Sequence, residues 1–245
     1  MRTLQLRSSR QTSSGMLLAK PELNFPDGPW ITLLEKAYSL FDSVAADGFT
    51  IPRWSLGGGT VLMFHYAHRK SKDIDIFIPD PQFLGYINPR IGGRGEDITS
   101  EYKDTADYVK LFLPEGEIDF VASSTLTKNP FEEHEVLGRN ILLETPIEIV
   151  AKKIWHRGDR ATPRDLLDLA IVIEHHYSEI LNNRDVFVKN IEIFTNQCES
   201  RKSIMLPVFD AIEKIEFNLS FDECLERANV LKADLLRGVS EILCK

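Results

Sequence analysis

Two aspartates, Asp73 and Asp75, stand two residues apart in the run Asp-Ile-Asp-Ile-Phe-Ile. Alternating charged and apolar residues, rich in Ile and Phe, predict a strand over 73–78. Residues i and i+2 of a strand share a face, with Cα atoms roughly 7 Å apart. Two carboxylates held together repel unless something neutralises them. A hard divalent cation does so, and Mg²⁺ (or Mn²⁺) suits one or two carboxylates together with substrate phosphates. Just ahead stands Gly57-Gly58-Gly59-Thr60, running into an expected helix over about 60–68. Glycines let backbone approach a ligand closely, and the free N–H groups of a helix start attract phosphate. A triphosphate would therefore rest on Gly58, Gly59 and Thr60 while metal ions bridge it to Asp73 and Asp75. Asp119, between Ile118 and Phe120, faces away from its apolar neighbours. If its strand adjoins the 73–78 strand, three carboxylates meet. Two ions about 3.5–4 Å apart could then hold the attacking and leaving oxygens of an in-line displacement. Each signal alone has a plainer reading: a solvated strand face, an ordinary strand aspartate, a simple glycine turn. Their order and spacing give them weight.

A second constellation comprises Lys152, Lys153, His156, Arg157, Arg160 and Arg164. Five Lys/Arg stand against the single acid Asp159 between residues 152 and 164, in a chain of 29 Lys+Arg, 37 Asp+Glu and formal charge -8. In so acidic a protein this is the expected place for phosphates. A solvated helix face complementing the helix dipole is the competing reading. Asp165 and Asp168 follow, and Asp165 also fits a cap for a helix begun at Thr162. A third basic stretch, His68-Arg69-Lys70-Ser71-Lys72, lies directly before Asp73 and could neutralise phosphates or the carboxylates themselves.

Several elements must position these residues. Apolar residues at helical spacing predict a helix over 30–45, stopped by Asp47-Gly48. Residues 85–100, with several glycines and two arginines, read as a surface loop. Tyr108–Leu113 and Ile118–Ala122 are two strand-like runs joined by Pro-Glu-Gly-Glu, a hairpin. Beyond about residue 140 the pattern turns helical. Thr145-Pro146 and Thr162-Pro163 are helix starts. Ser220 opens a last helix with the stripe Leu225, Ala228, Leu231, Leu235, Val239 and Ile242. The expected organisation is a tail over 1–24, an α/β core over 25–140 and a helical domain over 141–245.

Composition narrows the classes. The 245 residues, 43% hydrophobic and 27% charged, are ordinary for a globular chain. The negative balance excludes a uniformly basic nucleic-acid coat. Cys198, Cys224 and Cys244 form no CxxC pair, which indicates a reducing, cytoplasmic setting without structural zinc. No apolar run approaches the roughly 18 residues of a membrane span, so no membrane partner is expected. Walker and GxSxG motifs are absent.

Residues 56–77 (LGGGTVLMFHYAHRKSKDIDIF) resemble the first motif of the polymerase-β-like nucleotidyltransferase superfamily, in which a GG or GS pair precedes D-x-D. Residues 144–170 (ETPIEIVAKKIWHRGDRATPRDLLDLA) resemble the AbiEii/AbiGii toxins of type IV toxin–antitoxin systems. The resemblance spans about residues 55–172, with Thr60 in place of the commoner serine. It implies an α+β fold: a mixed sheet flanked by helices, then a C-terminal helical bundle. It also implies transfer of a nucleoside monophosphate from an NTP to an acceptor hydroxyl, with tRNA or another RNA as acceptor and a cognate antitoxin encoded nearby. Asp73, Asp75 and Asp119 would bind metal. Lys153 would stabilise triphosphate charge, with Asp165 beside it among the catalytic residues. Arg69, Ser71, Arg160, Arg164 and Asp168 would complete the nucleotide site. Two other readings remain open: a transferase acting on a small molecule or a protein side chain, and an inactive nucleotidyltransferase-like module that binds a protein.

Overall fold

The computed structural model describes residues 23–243, and side chains only to 237. Most of the expected tail, the side chains of Val239 and Ile242, and Cys244 lie outside the described residues. The chain enters helix α1 (Pro29–Ala46), then β1 (Ser55–Gly57), α2 (Gly58–Tyr66), β2 (Ile74–Ile78) and the short helix α3 (Leu84–Ile87). Strands β3 (Tyr102–Asp104), β4 (Tyr108–Leu113), β5 (Gly116–Ala122), β6 (Phe131–Val136) and β7 (Arg139–Glu144) follow. Helices α4 (Pro146–Arg157), α5 (Pro163–Asn182), α6 (Arg184–Phe187), α7 (Ile191–Ser200), α8 (Lys202–Asp210) and α9 (Phe221–Leu243) complete it.

Among the described residues the strands form one seven-stranded mixed sheet of order β3-β4-β5-β2-β1-β7-β6. The β4–β5 and β6–β7 neighbours are antiparallel hairpins, whereas β2 pairs β5 and β1 pairs β7 in parallel. With helices on the sheet and a run of helices after it, the architecture is α+β, as the resemblance implied. Burial along β2 alternates, so Ile74, Ile76 and Ile78 point into the core while Asp75 and Phe77 face the other way. The core side is closed by α1, whose Phe41 ring meets Phe120 edge-on at 5.9 Å. This stripe arises because Leu33, Leu34, Ala37, Leu40, Phe41 and Val44 recur at helical spacing.

Strand β7 carries the sheet to Glu144, past the boundary expected at residue 140, and one hydrophobic cluster runs from Trp30 to Leu235. The hairpin β6–β7 and the strand β3 were not foreseen. The sequence of β6, Phe-Glu-Glu-His-Glu-Val, is charged on both faces, and only pairing with β7 makes it a strand. The loop expected over 85–100 is built of α3 and short 3-10 turns. Among the described residues no helix is long and apolar enough to cross a membrane.

Candidate active site

The outward face of β2 carries the site. Asp75 pairs with Asp119 in the parallel register of β2 and β5, so the two carboxylates project side by side. Adjacent strands lie about 4.8 Å apart, which places like charges within strong interaction range. Burial and the charge of Asp75 together push the Asp119 carboxyl up to about 7, against the pull of Lys110. Asp119 Oδ1 is buried without a hydrogen-bond partner. Its Oδ2 lies 3.1 Å from Lys110 Nζ. A buried, unpartnered carboxylate oxygen beside a second carboxylate is a donor set suited to a hard cation such as Mg²⁺.

Asp73 behaves differently. It precedes the strand, and its Oδ1 accepts the Glu117 backbone N–H at 3.0 Å. Among the described residues no group of three His, Cys, Asp or Glu side chains could hold a metal ion. The three-aspartate cage is thus not formed as expected: the structure brings Asp75 and Asp119 together and ties Asp73 to the start of β5.

The glycine turn is positioned by strict close contacts. Gly58 adopts φ 69°, a left-handed conformation, and a Cβ there would lie 1.9 Å from Asp75 Oδ2. A Cβ on Gly59 would lie 2.2 Å from Arg69 Nη2 and 3.2 Å from Ser71 Oγ. The turn therefore seats Asp75 on one side and Arg69 on the other. Thr60 is buried, and its hydroxyl donates to the Asp73 carbonyl oxygen at 2.5 Å. Its local role is to lock α2 to the aspartate loop.

Behind the turn lies a buried charged network. Asp168 accepts Arg69 Nε at 2.7 Å and Nη2 at 2.8 Å, and His68 Nε2 lies 2.8 Å from Oδ1. Lys153 Nζ stands 2.6 Å from Asp165 Oδ1 and 3.1 Å from Asp168 Oδ2. Asp165 also closes a capping box with Thr162. Burial pushes the Asp168 carboxyl up, but Arg69 and Lys153 outweigh it and hold it well below the usual range. Burial likewise pulls the Lys153 ammonium down, and Asp165 and Asp168 more than restore it. His68, the first residue of the basic stretch 68–72, belongs to this network.

The basic run 152–164 divides in three dimensions. Lys152 is buried, 2.5 Å from Glu144 Oε1, with its ammonium 4.0 Å from the Phe77 ring centroid. Lys153 belongs to the network just described. Arg157, Arg160 and Arg164 are exposed. A cleft of about 770 Å³ is lined by Gly58, Asp75, Phe77, Tyr108, Trp155 and Arg157, with Lys152, Lys153 and Arg160 also on its wall. A second cleft, of about 590 Å³, takes Ser71, Asp73 and Arg164. The expected nucleotide residues are thus split between two openings and a buried core. Lys110 and Glu144 were missed. A lone strand lysine carries no pattern, and the partner of Glu144 is set by the packing of α4 on β7.

A family model described as nucleotidyl transferase AbiEii toxin, type IV toxin–antitoxin system, matches residues 40–229. Among solved structures, the chain is similar to MenT4, a nucleotidyltransferase toxin of Mycobacterium tuberculosis H37Rv (15% identity, 84% of each chain, TM-score 0.49). It is also similar to a nucleotidyltransferase from H. pylori (14% identity, 86% of this chain and 97% of that one, TM-score 0.44). A third likeness is to ANT(2")-Ia in complex with adenylyl-2"-tobramycin (14% identity, 85% of this chain and 98% of that one, TM-score 0.38). No curated protein matches the chain. The model match, running from α1 into α9 and so across glycine turn, aspartate strands and the Lys153–Asp168 network alike, places the chain in the AbiEii nucleotidyl transferase toxin family.

Proposed function

We propose that the chain transfers a nucleoside monophosphate from an NTP to an acceptor hydroxyl at the 3′ end of tRNA, releasing pyrophosphate. Asp75 and Asp119 would hold Mg²⁺ or Mn²⁺, while Asp73 would anchor the start of β5 beside them. Bound there, the cation supplies charge stabilisation at the phosphate. The remaining contributions come from the chain. Gly58 borders the cleft at the start of α2, where first-turn N–H groups favour phosphate oxygens. Phe77, Tyr108 and Trp155 offer aromatic faces on which bases stack. Arg157 and Arg160, exposed on the same wall, suit the phosphodiester backbone of an RNA. Lys153, held by Asp165 and Asp168, fixes α4 against α5 and keeps its charge at the rear of the site.

The observation that carries this reading is the in-register Asp75–Asp119 pair beside a cleft with arginines on its wall. A cognate antitoxin, encoded nearby, follows from the family. The test is incubation with each α-labelled NTP and total tRNA, with Mg²⁺ present. Label should enter tRNA, and Asp75→Ala should abolish transfer. Transfer undiminished in that variant refutes the metal role. Label entering protein or a small molecule instead moves the acceptor to that class.

A further inference from the structure

Lys110 stands on β4 directly opposite Asp119 of β5, and Asp119 stands beside Asp75 of β2. Lys110, Asp119 and Asp75 thus form a row across three neighbouring strands, all on one face. Lys110 Nζ lies 3.1 Å from Asp119 Oδ2 and also donates to Glu117 Oε2. The ammonium already supplies part of the positive charge that two adjacent carboxylates require. Glu117 gives it a second acceptor on which to remain after leaving Asp119.

We infer that Lys110 is a built-in counter-cation of the Asp75–Asp119 pair, which a divalent ion must displace onto Glu117, so that Lys110 orients Asp119 and sets the metal affinity of the site. A divalent ion and an ammonium cannot share Asp119 without repulsion. Giving up one charge-assisted hydrogen bond on binding lowers affinity by about tenfold. Lys110 is therefore a positioning residue acting through Asp119. The inference rests on the metal reading proposed above.

The experiment is calorimetric titration of Mn²⁺ into the full chain without nucleotide. Lys110→Met should bind Mn²⁺ about tenfold tighter than wild type. Lys110→Arg, which keeps the charge, should stay close to wild type, and Lys110→Gln replaces the Met variant if that one does not fold. Lys103 is the cross-strand partner of Lys110 on β3 and is exposed. Lys103→Met removes the same charge one strand further from Asp119 and should leave affinity nearly unchanged. Equal tightening in Lys103→Met, or none in Lys110→Met, overturns the inference. If wild type binds Mn²⁺ and Asp75→Asn does not, that second failure leaves the metal reading standing. If wild type binds no Mn²⁺, both fall.

Discussion

Asp168→Asn tests whether the buried charges hold the two halves of the molecule together. In the wild type one fully buried carboxylate receives Arg69 at 2.7 and 2.8 Å, His68 at 2.8 Å and Lys153 at 3.1 Å. Arg69 and His68 come from the loop before β2, Lys153 from α4 and Asp168 from α5. The substitution keeps the shape and removes the charge. Arg69 and Lys153 are then left in the interior, with Asp165 still facing both and Asp75 still acting on Arg69. Breaking a buried pair by removing one partner costs about 3–5 kcal/mol. For a chain of this size that corresponds to a fall in Tm of roughly 6–20 °C. Thermal and urea unfolding at pH 7, followed by circular dichroism, measure it. The pH profile follows from the same geometry. Asp168 is held well below its ordinary value, so its stabilisation is fully present above the unfolded carboxylate pKa. It is lost as pH falls through the depressed folded value. The gap between wild type and variant should therefore still be open at pH 5 and shrink only below about pH 4. A loss under about 1 kcal/mol at pH 7 refutes the argument, since it would mean that water reaches and screens these charges. So would a gap already closed at pH 5.

Asp119 gives the opposite sign. Its carboxyl is raised to about 7, so stability in EDTA should fall as pH rises from about 4 to about 7. Asp119→Asn should flatten that slope and raise the metal-free Tm at pH 8, and Mg²⁺ should flatten it in the wild type; denaturation across pH measures both. Gly58→Ala places a Cβ against Asp75 Oδ2 at a left-handed φ. It should cut label transfer by about a hundredfold while costing about 1–2 kcal/mol of stability. Activity close to wild type would show that Asp75 need not sit there. The pair Arg157→Ala and Arg160→Ala should weaken tRNA binding and reduce its salt slope by about one for each phosphate no longer neutralised. Affinity measured from low to high salt checks it, and an unchanged slope removes the arginines from the RNA path.

Local pattern was enough for much of this chain. The stripe of α1, the strand at Asp75, the β4–β5 hairpin and the capped starts of α4, α5 and α9 are each set by neighbours within a few residues. For such elements, side-chain periodicity and capping chemistry act directly on the backbone. The glycine turn and the aspartates could be read for the same reason, because the motif is one strand, one turn and one helix. The hairpin β6–β7 could not. Its β6 strand shows no apolar face of its own, and its place at the edge depends on β7 pairing with β1, more than eighty residues earlier.

The charges show the limit most sharply. Counted along the chain, residues 152–164 are a basic patch for phosphate. In space Lys152 and Lys153 are consumed by Glu144, Asp165 and Asp168, while the three arginines remain exposed. The sequence alone determined which residue types could bind metal and phosphate and which local elements carry them. Tertiary structure decided which of them meet: Asp75 with Asp119, Asp119 with Lys110, Arg69 with Asp168. Coulomb interactions and burial depend on distance through space, and that distance is set by strand register and helix packing rather than by position along the chain.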